Sequence, residues 1–377
     1  MNRRTNVLFR TLMFAFVLVS AVPIVQAQFK AGIQGTVTDT TGGLVPEAKV
    51  TLTNNETSRS QDVIASGDGF YRFSGLPPGE YTLEVEKTGY KKQVLENVAI
   101  SAEAVRGIDV ELEAGDITAS VVVSDETAPL LETENANIGK GITNREVLQL
   151  PQVGRDPYEL ARLAPGVFGT GGRDANGGAA NLPNTSGPSG SNVSVFQTEN
   201  RPAISANGQR VSSNNFQIDG VSVNSQTWGG AAVITPSQES VKEVQVLSST
   251  YSAEDGRNSG ANVKVVTQNG TNDFHGSAFF KYDTPAWNAF NRFNGTPGFV
   301  KPAQRVGQRF KNYGGSIGGP IIGNKLFFFF SYEGTKNSNN TPYEGLVESP
   351  ELRQLIATTR PNSIAARILG TSGIEPR

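Results

Sequence analysis

The chain has 377 residues, with 33 lysines and arginines against 35 aspartates and glutamates and a formal net charge of −2. This balance gives no overall field that would attract nucleic acid, so no nucleic-acid partner is expected. There is no cysteine and only one histidine, His275, which argues against disulfides, thiolate nucleophiles and the usual zinc sites. We therefore expect no enzyme activity, no catalytic residue, no metal and no cofactor.

Residues 1–27 are typical of a secretory signal peptide. Three arginines precede an apolar run from Leu12 to Val25, and Val25-Gln26-Ala27 offers a cleavage site. A membrane anchor is the alternative, but spanning needs about 20 apolar residues and Pro23 interrupts this run. No other segment is as long as a transmembrane helix, so any membrane domain is predicted to be β.

Residues 28–114 are predicted to form a β-sandwich. Tyr81, Leu83 and Val85 alternate with polar residues, which is the pattern of a half-buried strand. Asp39 and Asp68 lie in glycine-rich turns, and we interpret them as turn formers rather than as calcium ligands.

Two stretches of this region carry a family resemblance. The sequences GTVTDTTGGLVPEAKVTLTN (35–54) and SGDGFYRFSGLPPGEYTLEVEKTGY (66–90) resemble the carboxypeptidase regulatory-like module. That module is the β-sandwich companion of a peptidase and not its catalytic part. The resemblance therefore implies a surface for binding or assembly, and no proteolysis.

Residues 115–134 are predicted to be a linker, and residues 135–271 a separate α+β domain. The linker contains the β-branched run ASVVVSD (119–125), which has no partner strand nearby in sequence. In the following domain we predict a helix over Arg145–Leu150, capped by Asn144, and a second helical piece beginning at Asp156. Its inward-facing residues are predicted to be Leu160, Ala161 and Leu163. The glycine-rich segment Gly166–Asn192 is predicted to be a functional or disordered loop.

The stretch from Ser205 to Tyr282 holds short strands separated by tight turns, with Asp219-Gly220 closing a hairpin. Three longer strands are predicted from Asn272 onwards, separated first by a long loop and then by a short turn, which is the asymmetry of outer-membrane barrels. They cover Asn272–Asp283, Arg309–Gly319 and Lys325–Lys336. The region 337–377 is predicted to contain one helix, Glu351–Leu369.

The series ANGQR (206–210), IDG (218–220), AEDGR (253–257) and GTNDFHGS (270–277) resembles the plug of a TonB-dependent outer-membrane receptor running into its first barrel strand. The whole arrangement is similar to the Oar-like branch of that family. The resemblance implies a mainly β fold: an N-terminal β-sandwich, an α+β plug and the first strands of an incomplete transmembrane β-barrel over 272–377. On this resemblance we expect the N-terminal part of a larger receptor.

The resemblance also implies a function and its partners. We expect an outer-membrane receptor for energy-coupled import of a bulky nutrient. Its partners would be a TonB-type inner-membrane energy protein, outer-membrane lipid and the nutrient. Val121, Val122 and Val123 would form the strand that the energy protein pulls, although an ordinary extended linker is the alternative. The expected plug motif residues are Arg210, Asp219, Gly220, Glu243 and Arg257. The charged side chains that could pair with the barrel wall are Arg210, Asp219, Glu243, Glu254 and Arg257, although plain folding of the plug is the alternative.

Two other functions stay open at this point. One is a surface binding or adhesion protein in which the sandwich is the binding module. The other is a secreted enzyme, for which the sequence shows no site. His275 is interpreted as a structural residue of the first barrel strand, because no nucleophile elbow accompanies it.

Overall fold

The computed structural model describes residues 31–115, 120–124, 136–152, 154–169, 200, 202–226, 229–256, 258–287, 307–340 and 349–369. The predicted signal peptide, nearly all of the segment Gly166–Asn192 and Arg257 lie outside the described residues. The chain forms two compact units, Met1–Tyr282 with Lys311–Lys336, and Asp283–Phe310 with Asn337–Arg377. As predicted, the fold is mainly β.

The N-terminal domain is the predicted β-sandwich. In one sheet β1 lies between β4 and β7 and also pairs with β8, and the other sheet has the order β3-β2-β5-β6-β9. Alternate residues of β1, β2, β4, β5 and β8 face the core, where Ile33, Leu52, Tyr71, Leu83 and Leu112 are fully buried. The strands are β1 (Gly32–Asp39), β2 (Lys49–Asn54), β3 (Ser60–Ile64), β4 (Phe70–Ser74), β5 (Gly79–Glu86), β6 (Lys92–Ile100), β7 (Val105–Gly107), β8 (Val110–Leu112) and β9 (Ser120–Ser124).

The β-branched run of the predicted linker forms strand β9. Ser120–Ser124 pairs in parallel with β6, in the register Lys92↔Ser120 to Glu96↔Ser124. A parallel partner needs a crossover of a dozen or more residues, and residues 101–119 provide it. The partner of this run is therefore distant in sequence, in the sandwich itself.

The central domain, residues 136–271, contains the five-stranded sheet β10-β15-β16-β13-β14 and a two-stranded sheet, β11-β12. Its core includes the fully buried Ile142, Tyr158, Phe216, Val244 and Val263. The strands are β10 (Ile138–Thr143), β11 (Val167–Gly169), β12 (Ile204–Ala206), β13 (Asn215–Ile218), β14 (Val221–Ser222), β15 (Val241–Ser249) and β16 (Asn262–Thr267), and helix α1 is Asn144–Gln149.

Two details of the helical pieces differ from the prediction. Thr143, and not Asn144, caps α1, because its hydroxyl and the carboxylate of Glu146 form a capping box. The second piece is a 3-10 helix, Pro157–Leu163, capped by Asp156. Leu160 and Ala161 are buried, but Leu163 is 43% exposed, so its predicted inward orientation is wrong. Leu163 is the last residue of this 3-10 helix, next to its C-cap Ala164.

Three strands follow in the order β17-β18-β19, and we call them the wall strands. They are β17 (His275–Asp283), β18 (Gly307–Ile322) and β19 (Leu326–Asn340), with the short turn Gly323–Lys325 between the last two. The single helix predicted over Glu351–Leu369 is in fact two helices, α2 (Pro350–Thr359) and α3 (Ile364–Leu369). Pro361 lies between them, and proline breaks a helix because it lacks an N–H donor. Among the described helices, none is long and apolar enough to cross a membrane.

Candidate functional site

The wall strands have two chemically different faces, which the alternation of exposed and covered side chains resolves. On β17 the even-numbered Phe280 and Tyr282 are exposed. The odd-numbered Ser277 and Phe279 contact Glu239 and Arg155 of the central domain, respectively. On β18 the exposed Tyr313, Ile317 and Ile321 lie at even spacing, and on β19 so do Leu326, Phe330 and Tyr332, as expected for one face of a pleated sheet. The exposed apolar residues of β18 and β19 are Tyr313, Ile317, Ile321, Ile322, Leu326, Phe330 and Tyr332.

The opposite face of the wall strands binds the central domain through an ion cluster of Arg155, Glu239, Lys281 and Glu333. Arg155 Nη2 lies 3.2 Å from Glu239 Oε1, and Arg155 Nε lies 3.2 Å from Glu333 Oε1 on β19. Its guanidinium sits 3.9 Å above the ring of Phe279 on β17. The Arg155 side chain is only 4% exposed, so these charges are largely removed from water.

Further polar contacts surround this cluster. Ser277 Oγ donates to Glu239 Oε2, and Asn312 Nδ2 donates to Glu333 Oε1 at 2.8 Å. Lys281 on β17 is exposed and adds a second positive charge near Arg155 and the two glutamates. Within the described residues, Glu333 Oε2 is buried without a hydrogen-bond partner. The cluster therefore attaches the central domain to the wall strands, but it is not fully satisfied.

In the sequence, Gly154-Arg155 fits the Gly-Arg that follows a Leu-Pro pair in the plug that this region resembles, but no ion pair was predicted for Arg155. It follows Gly154 after the Leu150-Pro151 pair, at the entrance to the 3-10 helix. Its backbone has a φ of +53°, which is uncommon for a residue with a Cβ. Its partners Glu239 and Glu333 lie 84 and 178 residues away in sequence, so no local pattern identifies them.

Next to Arg155, the carboxylate of Asp156 is buried in the central domain. Its Oδ2 accepts a hydrogen bond from Asn200 Nδ2 at 2.7 Å, and its Oδ1 accepts one from Tyr158 N at 3.0 Å. Burial raises the pKa of Asp156 from 3.8 to about 7, and the hydrogen bond from Asn200 opposes this rise. Asp156 thus changes charge near neutral pH, one residue from the ion cluster.

A second charged contact joins the central domain to the sandwich, and we call it the clasp: Ala102, Glu103, Glu243, Asp255 and Lys264. Glu243 Oε2 accepts a hydrogen bond from the buried backbone N of Ala102 at 2.9 Å. Lys264 Nζ lies 2.7 Å from Glu103 Oε2 of the sandwich and 3.0 Å from Asp255 Oδ1 of the central domain. The Lys264 side chain is 7% exposed. The sandwich therefore supplies, through Glu103, one of the carboxylates that pair with this buried ammonium group.

The expected plug residues occupy several places. Asp219 and Gly220 have φ angles of +47° and +78° and close the β13–β14 hairpin, as predicted for this turn. Asp219 Oδ1 accepts from Thr267 N at 2.9 Å, so it holds the turn inside the central domain. Glu243 belongs to the clasp, and Arg210 is exposed at the start of a 3-10 turn. In the described residues Asp219 contacts Thr267 and Glu243 contacts Ala102 of the sandwich, and the expected pairing with the barrel wall stays a prediction.

The remaining predicted residues can also be placed. Val121, Val122 and Val123 lie in β9, paired with Gln93, Val94 and Leu95. His275 is at the start of β17, with its ring stacked at 6.2 Å on Phe329. Asp39 Oδ1 accepts hydrogen bonds from the N and Oγ1 of Thr41 and from Gly43 N, and the Thr41 hydroxyl bond is the main cause of its lowered pKa. Asp39 therefore forms a turn, as interpreted from the sequence.

A cavity of about 820 Å³ lies where the sandwich, the central domain and the β18–β19 turn meet. Its lining is mixed, with Glu56, Arg59 and Lys242 as charged groups and Tyr81 and Phe328 as aromatic ones. Lys242 Nζ lies 2.6 Å from Glu56 Oε2. Among the described residues, no group of three or more His, Cys, Asp or Glu side chains is arranged to hold a metal ion.

Comparisons with known proteins give two family matches and one curated relative. Residues 32–113 match the carboxypeptidase regulatory-like domain, and residues 266–364 match an outer membrane beta barrel domain. The TonB-dependent transporter Oar of Myxococcus xanthus is 28% identical over 291 residues, which cover 75% of this chain and 24% of that protein. The chain therefore spans about a quarter of the length of this relative. The relative is a transporter, which agrees with the expectation that the chain is not an enzyme.

Two solved receptor structures overlap with part of the chain. The siderophore receptor PirA of Acinetobacter baumannii is 19% identical and covers 53% of this chain and 24% of its own, with a TM-score of 0.35. The ferric enterobactin receptor PfeA is 15% identical and covers 56% and 25%, with a TM-score of 0.34. At these values the two overlaps carry no conclusion about how this chain works.

Proposed function

We propose that this chain, an outer-membrane protein related to the TonB-dependent receptors of the Oar-like type, takes part in energy-coupled import of a bulky nutrient. In this proposal the central domain is the plug, the wall strands belong to the barrel around it, and the sandwich lies on the periplasmic side. The curated relative is named as a TonB-dependent transporter, which supports a role in transport. The nutrient itself is left open.

The observation that carries the proposal is the buried ion cluster between the central domain and β17 and β19. A plug has to stay in place at rest and has to leave when it is pulled. Arg155 holds Glu239 of its own domain and Glu333 of the wall at the same time. A buried charge pair is strong while both partners are present and becomes costly once one leaves, which suits an attachment that breaks in one step.

The proposed partners follow from three different surfaces. The energy-coupling protein, of TonB type, would contact Val121, Val122 and Val123 through a strand. Outer-membrane lipid would contact the exposed aromatic and aliphatic side chains of the wall strands, such as Phe280 and Phe330. The nutrient would bind on the side opposite to the sandwich. The net charge of −2 gives no reason to expect nucleic acid.

The partner contact can be tested by substitution in β9. Val122→Pro removes a backbone N–H and is incompatible with a strand pairing at that point. We expect the whole chain carrying it to lose binding to the purified periplasmic domain of the TonB-type protein. Val122→Thr keeps the β-branched shape and the N–H, so it should bind like the parent. Equal affinity of both variants would count against the contact.

A second candidate function is a surface binding protein in which the sandwich is the binding module. The mixed charged and aromatic cavity at the sandwich, about 820 Å³ in volume, favours it because ligand sites of this size combine apolar walls with a few polar groups. Screening glycans and peptides against the chain, with Arg59→Ala as the comparison, tests this. A ligand lost in Arg59→Ala, with partner binding unchanged, would support this function.

A further inference from the structure

The sandwich contacts the rest of the chain through two turns that lie at one of its ends. The antiparallel registers of β2, β5 and β6 place the end of β2 and the end of β6 on the same side of the sheet. The turn after β2, residues 55–59, and the turn after β6, residues 101–104, therefore project in the same direction. The second turn carries Ala102 and Glu103, through which the clasp holds the central domain.

The first turn reaches the connector, which we define as residues 268–274 between β16 and β17. The connector is the covalent link from the central domain into the wall strands. Asn272 of the connector donates from its backbone N to Glu56 O at 2.9 Å and from Nδ2 to Ser58 Oγ at 3.3 Å. Its Oδ1 accepts a hydrogen bond from Asn324 N, in the β18–β19 turn, at 2.8 Å. One asparagine therefore joins the sandwich, the connector and the wall strands.

Glu56 binds the central domain as well as the connector. Its Oε2 lies 2.6 Å from Nζ of Lys242 on β15, a side chain that is 15% exposed. The turn that carries Glu56 is fixed within the sandwich, because Asn54 Oδ1 accepts hydrogen bonds from Glu56 N at 3.0 Å and from Thr57 N at 2.9 Å. A turn that is already ordered loses little conformational entropy when it docks.

We propose that the sandwich is a brace, which holds the central domain against the wall strands through the 55–59 turn and the clasp. Moving the central domain away from the wall then requires breaking the sandwich's contacts with Lys242 and the clasp, or its contact with Asn272. This inference rests on the proposed function, in which the central domain is the plug, and deepens it. The sandwich becomes a regulator of plug release and not only an attached module.

The rival arrangement is a sandwich that is carried by the central domain without holding it. The two arrangements predict different effects of removing the Asn272 contact. If the sandwich is a brace, the central domain separates from the wall more readily. If the sandwich is only carried along, the separation is unchanged.

An introduced pair of cysteines reports on this separation, since the chain has no cysteine of its own. Ser237 Oγ of the central domain lies 3.5 Å from Ser331 Oγ of β19, so the reporter chain carries Ser237→Cys and Ser331→Cys. The equilibrium of this disulfide with glutathione gives the effective concentration of one thiol at the other, which falls when the two surfaces separate. It is measured on the whole chain in detergent micelles, in urea that halves the value of the parent reporter chain.

The brace variants are Asn272→Ala, which removes both side-chain hydrogen bonds of that residue, and Glu56→Gln combined with Glu103→Gln. We expect each to shift the docking equilibrium about tenfold, which at this midpoint lowers the effective concentration about fivefold. Lys49→Met breaks an exposed ion pair on the same sandwich and should leave the value unchanged. Brace variants that differ from Lys49→Met by less than about twofold overturn the inference.

A charge exchange separates a brace from a general loss of stability. Glu56→Lys alone places two lysines together and should lower the effective concentration. Adding Lys242→Glu restores an opposite pair and should recover most of the loss. A double variant that stays as low as Glu56→Lys shows that the ion pair does not hold the two domains together, which contradicts the inference.

These measurements need no partner protein, so they distinguish the inference from the proposed function. A parent chain that does not bind the TonB-type protein refutes the proposed partner contact, whatever the thiols report. An unchanged effective concentration in the brace variants refutes the brace alone. Failure of the reporter pair to close in the absence of urea would contradict the contact between the central domain and β19, and it would overturn the inference together with the plug assignment.

Discussion

Removing the central arginine of the ion cluster should strongly destabilise the attachment of the central domain. In Arg155→Met the carboxylates of Glu239 and Glu333 lose their common partner, to which each is held at 3.2 Å. At an effective dielectric of about 20, opposite unit charges about 4 Å apart attract by about 4 kcal/mol. Breaking a buried pair by removing one partner costs about 3–5 kcal/mol, and we expect a loss of this size.

The measurement is the free energy of unfolding from urea titration of the whole chain in detergent micelles. Lys49→Met is a matched control, because Lys49 pairs with Asp62 at 3.2 Å with both side chains 54% exposed. An exposed pair of this kind contributes at most about 1 kcal/mol. A loss in Arg155→Met no larger than in Lys49→Met would refute the reasoning.

A double substitution tests whether charge imbalance is the cause. Arg155→Met combined with Glu333→Gln leaves one positive charge, Lys281, and one negative charge, Glu239, in the cluster. We expect the double variant to be more stable than Arg155→Met alone, because no carboxylate is left in excess. If the two losses simply add, packing of the arginine and not its charge carries the effect.

Three further predictions concern the central domain, each measured by urea unfolding. Asp156→Asn should remove a pH dependence of the free energy of unfolding. The pKa of Asp156 is about 7 in the folded chain and 3.8 ordinarily. The parent chain therefore loses up to about 4 kcal/mol of stability as the pH rises from about 4 to 7. The variant should match the parent near pH 4 and exceed it at pH 8, and parallel curves would contradict this. Lys264→Met should cost about 3–5 kcal/mol because it leaves Glu103 and Asp255 facing each other, and a loss below about 1 kcal/mol would show that water compensates. Gly220→Ala should cost about 1–2 kcal/mol, since its φ is +78°, whereas Gly220→Asn, which tolerates that region, should cost much less; equal losses would exclude the backbone explanation.

Strands and tight turns could be predicted because their signals are local. The alternation of Tyr81, Leu83 and Val85 places every second residue in the sandwich core, and all three are buried. The hairpin at Asp219 and Gly220 also follows from its own residues, since both adopt the positive φ that this turn requires.

The candidate site could not be predicted to the same extent, because its contacts join distant segments. The partner of β9 is a parallel strand on the far side of a crossover, and the partners of Arg155 lie in two other parts of the chain. The sequence could not assign which face of β19 is turned outwards, because apolar residues occur on both faces from Leu326 to Phe330. Glu333 and its contact with Arg155 decide which face is turned towards the central domain.

The clasp has a consequence for how such proteins can be recombined. Lys264 is buried against Glu103 of the sandwich as well as Asp255 of its own domain, so the central domain does not satisfy its own lysine alone. Replacing the sandwich by one from a homologue whose loop lacks an acid at the place of Glu103 would remove one of the two carboxylates that pair with Lys264. A chimaera that exchanges the sandwich should therefore keep an acidic residue at the place of Glu103. A chimaera that exchanges the central domain should keep a lysine at the place of Lys264.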